Sequence, residues 1–158
     1  MKRKNITLLI SVLALTLSHC TTELPQLPDE NDSDFVEDHT FNTVVAISYD
    51  NNTVIVTPET DDITSSIVGG NITIDSRKKY VEYILTGTTD NGSFKLYSTN
   101  KCKVTLNNVH ITSNNTPAIN IQTSKSIFVN IANDTENTLS DKNPYILTEL
   151  EDAKGTFF

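Results

Sequence analysis

The sequence predicts an all-β protein built as a parallel β-solenoid. The grounds are short runs with an apolar residue at every second position, equivalent runs spaced 21 and 25 residues apart, and Asn, Thr and Gly in the turns between them. No amphipathic helix of useful length is present, although residues 144–154 have room for one or two helical turns. An antiparallel β-sandwich also uses short strands and polar turns, so it is the competing architecture.

The N-terminus is set apart from that fold. Met1-Lys2-Arg3-Lys4 is a basic start, Ile6 to Leu17 is apolar and uncharged, and Leu17-Ser18-His19-Cys20 reads as a lipobox. The apolar run is too short for a membrane-spanning helix, which needs about 20 residues. It therefore reads as a signal peptide over residues 1–19, cut before Cys20. The Cys20 thiol would carry a diacylglyceryl thioether, and two or three acyl chains hold far more firmly than one, at about 0.8 kcal/mol per buried CH₂. His19 departs from the Gly, Ala or Ser usual at that position.

Residues 20–40 read as an acidic tether. Positions 21–40 hold seven acids (Glu23, Asp29, Glu30, Asp32, Asp34, Glu37, Asp38) and no Lys or Arg. Pro25, Pro28 and the lack of an apolar pattern argue against packing. The formal net charge of the chain is −8, but beyond residue 40 the balance is milder, with 13 acids and nine bases. There is no basic stripe to meet a phosphate backbone, so nucleic acid is not an expected partner.

Residues 41–158 form the β-rich domain. Val44–Tyr49, Asp50-Asn51-Asn52 and Thr53–Pro58 make a hairpin signature. Gly69-Gly70 marks a tight turn between Ile67-Val68 and Asn71–Asp75. The repeat then begins with Val81–Leu85, Cys102–Leu106 and Ile127–Ile131, and a second set, Phe94–Leu96 and Ile119–Ile121, falls between them. Asp90-Asn91-Gly92, Asn107-Asn108 and Ser113-Asn114-Asn115 supply turns. One coil cannot bury its own inner face, so stacked coils must do it. The register predicts inner ladders Leu85–Leu106–Ile131 and Tyr83–Val104–Val129, places Cys102 beside Ile127, and aligns Glu82, Lys103 and Phe128 outside. The Glu82–Lys103 pair is expected to be exposed and worth little. Cys102, alone after Cys20, reads as a buried free thiol. Gly155 to Phe158 looks like the start of another strand, so the chain reads as a truncated solenoid with an open end.

Several segments carry a family resemblance. Tyr83-Ile84-Leu85-Thr86-Gly87, Val104 to Ile111, Pro117 to Ile121 and Asp134 to Asp141 resemble, in their order, bacterial carbohydrate-binding domain proteins with polysaccharide-lyase-like right-handed parallel β-helices. Lys154 to Phe158 resembles the start of that family's next coil. The resemblance implies binding of acidic or cellulosic polysaccharide, binding of calcium, and a lipoprotein start. The acidic tether resembles the surface-export signal of lipoproteins from glycan-foraging Gram-negative bacteria, which implies an outer-membrane or cell-surface location.

Three kinds of chemistry follow as expectations. For Ca²⁺, Asp134, Glu136 and Asp141 are the candidate ligands, because they share a polar segment and calcium takes six to eight oxygens. For sugar stacking, alternation points Tyr80, Tyr97 and Phe128 outward. For catalysis nothing is supported: Arg77 adjoins Lys78 and Lys79 in a charged turn, His39 lies in the tether and His110 points outward. The expected function is a membrane-anchored, non-catalytic polysaccharide-binding lipoprotein. A structural or adhesive surface solenoid and a fragment of a lyase-like enzyme are the alternatives.

Overall fold

The computed structural model describes residues 35–58, 60–142, 144 and 155–158. Cys20 and residues 1–34 therefore lie outside the described residues, as does the helical segment suggested within 144–154, apart from Pro144. The described chain is all-β. A single 3₁₀ turn, Val36–Asp38, precedes ten strands. These are β1 (Thr43–Asp50), β2 (Thr53–Thr57), β3 (Ile63–Val68), β4 (Gly70–Ser76), β5 (Val81–Thr89), β6 (Gly92–Ser98), β7 (Cys102–Ser113), β8 (Ile119–Gln122), β9 (Ile127–Ile131) and β10 (Thr138–Asp141).

The strands form two mixed sheets. One runs β10-β7-β5-β1-β2, with β9 also on β7; the other runs β3-β4-β6-β8. The hairpins β1–β2 and β3–β4 are antiparallel, and every other pair is parallel. Parallel neighbours require a crossover of a dozen or more residues. From β4 to β9 the chain alternates between the sheets, so each sheet's crossover contains a strand of the other. This explains the sequence spacing: Val81 pairs with Cys102, and Cys102 with Ile127.

The register follows the apolar alternation. Leu85, Leu106 and Ile131 pair in turn, as do Tyr83, Val104 and Val129. In the second sheet Phe94 meets Ile119 and Leu96 meets Ile121. Their inward side chains join β1 and β4 residues such as Ile47 and Ile74 in one buried cluster spanning both sheets. Each fully buried residue of this size contributes about 1.5–3 kcal/mol. The inner ladders fade at β9, where Val129 and Ile131 are 49% and 63% exposed.

Two sequence expectations are corrected. Asn107-Asn108 is not a turn between strands but a bulge inside the continuous β7, where the register against β5 shifts between Leu85 and Gly87. Asn108 takes a left-handed φ of 52°, which a short amide side chain tolerates. The Asn137 side-chain oxygen accepts a hydrogen bond from the Val109 N–H, and the Asn108 side-chain oxygen accepts one from the Glu136 N–H. Glu82 and Lys103 also depart from expectation in their burial. They do align with Phe128, but the pair is mostly covered, with side-chain exposures of 17% and 22%. Residues Phe35–Glu37 line one recess together with Lys103 and Phe128, so this segment shelters the outer face of the sheet.

Candidate functional site: a lysine- and aromatic-lined cleft

One recess among the described residues lies at the corner where the chain enters β1, β5, β7 and β9. It has a volume of about 220 Å³ and is lined by His39, Phe41, Lys79, Tyr80, Asn100, Lys101 and Lys125. The register builds it. Because Val81 pairs with Cys102, Tyr80 and Lys101 sit at matching positions before their strands. Because Cys102 pairs with Ile127, Asn100 and Lys125 match one step earlier. Adjacent strands lie about 4.8 Å apart, so the lysines of successive rungs are held close at one corner. Tyr80 has a left-handed φ of 59° and is 46% exposed, leaving its ring at the cleft rather than in the core. Asn100 fastens the corner by donating to the Arg77 carbonyl at 2.9 Å.

One wall is made by the segment expected to be a free tether. The His39 ring lies 5.0 Å from that of Phe128, and Phe41 lies 5.8 Å from it in an edge-on arrangement. Such ring pairs contribute about 0.5–1.5 kcal/mol beyond their burial. Packing therefore starts before residue 41, and the boundary drawn from composition falls inside a packed segment.

The sugar-stacking candidates do not share one face. Tyr80 is in the cleft. Phe128 is half-buried under His39 and Phe41, so it backs the cleft wall. Tyr97 lies on the other sheet, 37% exposed, with the Lys95 ammonium 5.2 Å from its ring centre. The cationic side of the cleft was missed in the sequence. The available signal was a lysine one or two residues before the successive runs at Val81, Cys102 and Ile127.

The calcium candidates are likewise apart. Asp134 (φ 57°) and Glu136 are exposed in the loop between β9 and β10. Asp141 lies at the far end of β10, beyond a strand segment of about 10 Å. Its Oδ1 accepts from the Ala118 N–H and its Oδ2 from the Thr156 hydroxyl, so it ties β8 to the chain's last described segment. Among the described residues, no three His, Cys, Asp or Glu side chains gather as a metal site. Cys102 is buried, and burial pushes its thiol up to about 12. A thiol held in its neutral form is a poor nucleophile.

No curated protein and no solved structure matches the chain. A family model described as carbohydrate-binding domain-containing protein matches residues 68–158, from the end of β3 onward. That match covers more than half of the sequence and supports a carbohydrate-binding role: the chain belongs to the carbohydrate-binding domain-containing protein family.

Proposed function

We propose that the protein is a surface-anchored polysaccharide-binding lipoprotein without catalytic activity, and that the Tyr80 cleft holds the glycan. The observation that carries this is the gathering of Tyr80 with Lys79, Lys101 and Lys125 in one recess of a carbohydrate-binding chain. A tyrosine ring offers a flat apolar surface to the C–H face of a pyranose. Ammonium groups donate to hydroxyl or carboxylate oxygens, and bonds to carboxylate are roughly twice as strong as neutral ones. The cleft lining, among the described residues, has three lysines and no carboxylate. Of the acidic and cellulosic glycans suggested by family resemblance, the acidic class fits this lining better.

The two sheets are read as faces of one parallel β-solenoid, right-handed by resemblance. The alternation of strands between the sheets and the in-register ladders support that reading. The anchor is lipid on Cys20 after a signal peptide at 1–19, and the acidic lead sets the domain off a Gram-negative outer membrane. Calcium has no gathered donor set among the described residues, so no contact is routed through it.

A glycan array with uronate-containing and neutral polysaccharides, run with and without EDTA, tests the reading. Retention of an acidic glycan, weakened in a K79Q/K101Q/K125Q variant, is the expected result. Loss of retention in EDTA would establish calcium as a partner. Failure to retain any glycan would overturn the proposal in favour of a structural surface protein. Unsaturated uronate absorbance from incubated pectin would restore the lyase alternative. For the anchor, labelled fatty acid should enter the chain and be lost in Cys20→Ala.

A further inference from the structure

We propose that the cleft selects for carboxylate spacing: a uronan with a carboxylate on every sugar lies along the stacking direction, one uronate to a rung, and a glycan with uronate on alternate sugars is held less tightly. This rests on the cleft being the glycan site and narrows the acidic class it takes. The register supplies the spacing. Val81 pairs with Cys102 and Cys102 with Ile127, so Lys79, Asn100 and Lys125 hold one position on three successive rungs. Lys101 stands one residue further along the middle rung, and all four residues line the cleft. The lining therefore presents one lysine per rung, with rungs about 4.8 Å apart. The offset of Lys101 is about 3.3 Å, and a flexible lysine stem spans it.

A linked uronan in extended form advances by a similar distance per sugar. Each pyranose is turned relative to the last, so its carboxylates are staggered, as Lys101 is staggered from the line joining Lys79 and Lys125. The corner holds this spacing in place. The Thr43 N–H donates to the Tyr80 carbonyl at 3.1 Å, the Asn100 carboxamide to the Arg77 carbonyl at 2.9 Å, and the Lys125 N–H to the Thr123 hydroxyl at 3.0 Å. A ligand of matching spacing finds the three stems already positioned, which lowers the ordering cost of binding. Once one carboxylate is seated, its neighbours are tethered beside the next lysines at high effective concentration. A uronan charged on every sugar engages all three ammonium groups. One charged on alternate sugars reaches Lys79 and Lys125, two rungs apart, and sets a neutral sugar against Lys101. The preference is the difference between those two arrangements.

The test titrates the full chain, in non-ionic detergent, with the galacturonate trisaccharide and the hyaluronan hexasaccharide. Both carry three carboxylates, on adjacent sugars in the first and on alternate sugars in the second. The trisaccharide should bind about three- to tenfold more tightly at low salt. The preference should vanish near 1 M salt, where the screening length is about 3 Å. In Lys101→Gln the trisaccharide should weaken about three- to tenfold and the hexasaccharide less than about twofold. Lys79→Gln and Lys125→Gln should weaken both. A folding defect would weaken both ligands alike, so the split in the Lys101 variant reads spacing and not stability. Equal affinity for the two ligands would overturn the inference and leave the proposed function standing, as would a preference that Lys101→Gln leaves intact. If no glycan is retained, polymers included, both fall together.

Discussion

Tyr80 and Lys101 occupy the same place on neighbouring rungs, each one residue before a pair of directly opposed residues, Val81 and Cys102. Neither side chain belongs to the buried hydrophobic cluster, so changing either leaves the apolar ladders their contacts. Tyr80→Ala and Lys101→Gln should each weaken retention of an acidic polysaccharide about three- to tenfold, corresponding to roughly 0.7–1.4 kcal/mol. The unfolding midpoint should not move. Affinity electrophoresis and a denaturant titration check both halves.

Glu82 should contribute to stability in spite of its surface position. It meets the Lys103 ammonium at 3.1 Å and accepts the Thr105 hydroxyl at 2.5 Å. Glu82→Ala removes the partner of the mostly covered Lys103 ammonium and the acceptor of the Thr105 hydroxyl, which keeps only Asn130 Nδ2 at 3.4 Å among the described residues, and should cost about 1–3 kcal/mol. A double-mutant cycle with Lys103→Met should show strong coupling. An additive cycle would mean that the two groups are independently solvated.

Gly87 is required by its backbone. Its φ is +85°, and a Cβ there would run into the Tyr49 carbonyl of the paired strand. The left-handed conformation alone costs about 1–3 kcal/mol for a residue with a side chain. Gly87→Ala should therefore lower the urea midpoint by at least that amount, whereas Gly155→Ala, at a negative or extended φ, should change it little.

Alkaline pH should loosen the core through Cys102. Its thiol is raised from 9.0 to about 12 by burial, partly offset by a Ser98 hydrogen bond. Between those values the unfolded chain has released the proton and the folded one retains it, so stability falls as pH rises. The contribution is fully present below about pH 9 and is lost on approach to pH 12. Burial also raises the Tyr49 and Tyr83 phenols, which adds loss in the same direction. Denaturant midpoints from pH 7 to 11 should decline, and the thiol should resist a disulfide reagent until the chain unfolds.

The ladders were legible because they depend on alternation and spacing, both visible in one dimension. Leu85 and Leu106 show inward phase and repeat distance together, and the structure pairs them. The Asn107-Asn108 bulge was not legible as such. Two adjacent amides are equally suited to a turn, and the bulge is closed by residues arriving from a later strand connection, the Asn137 carboxamide and the Glu136 N–H. The cleft was missed for a related reason. Lys79, Lys101 and Lys125 look like separate loop charges until three rungs are superposed. Alternation gives the direction of Phe128 but not its cover, because His39 and Phe41 follow a segment whose acidic composition conceals an aromatic anchor.

The bulge in β7 also marks where the architecture tolerates growth. At the corresponding point on the next rung, between Ile131 and Thr138, the chain makes the Ala132–Asn137 loop while both flanking strands keep their pairing with β7. Extra residues there leave the rungs in step, as rungs of a ladder stay level when one rail bows outward. Such a site can accept a grafted loop or a reporter sequence, and lineages can diversify one side of the molecule there while the ladders continue unchanged.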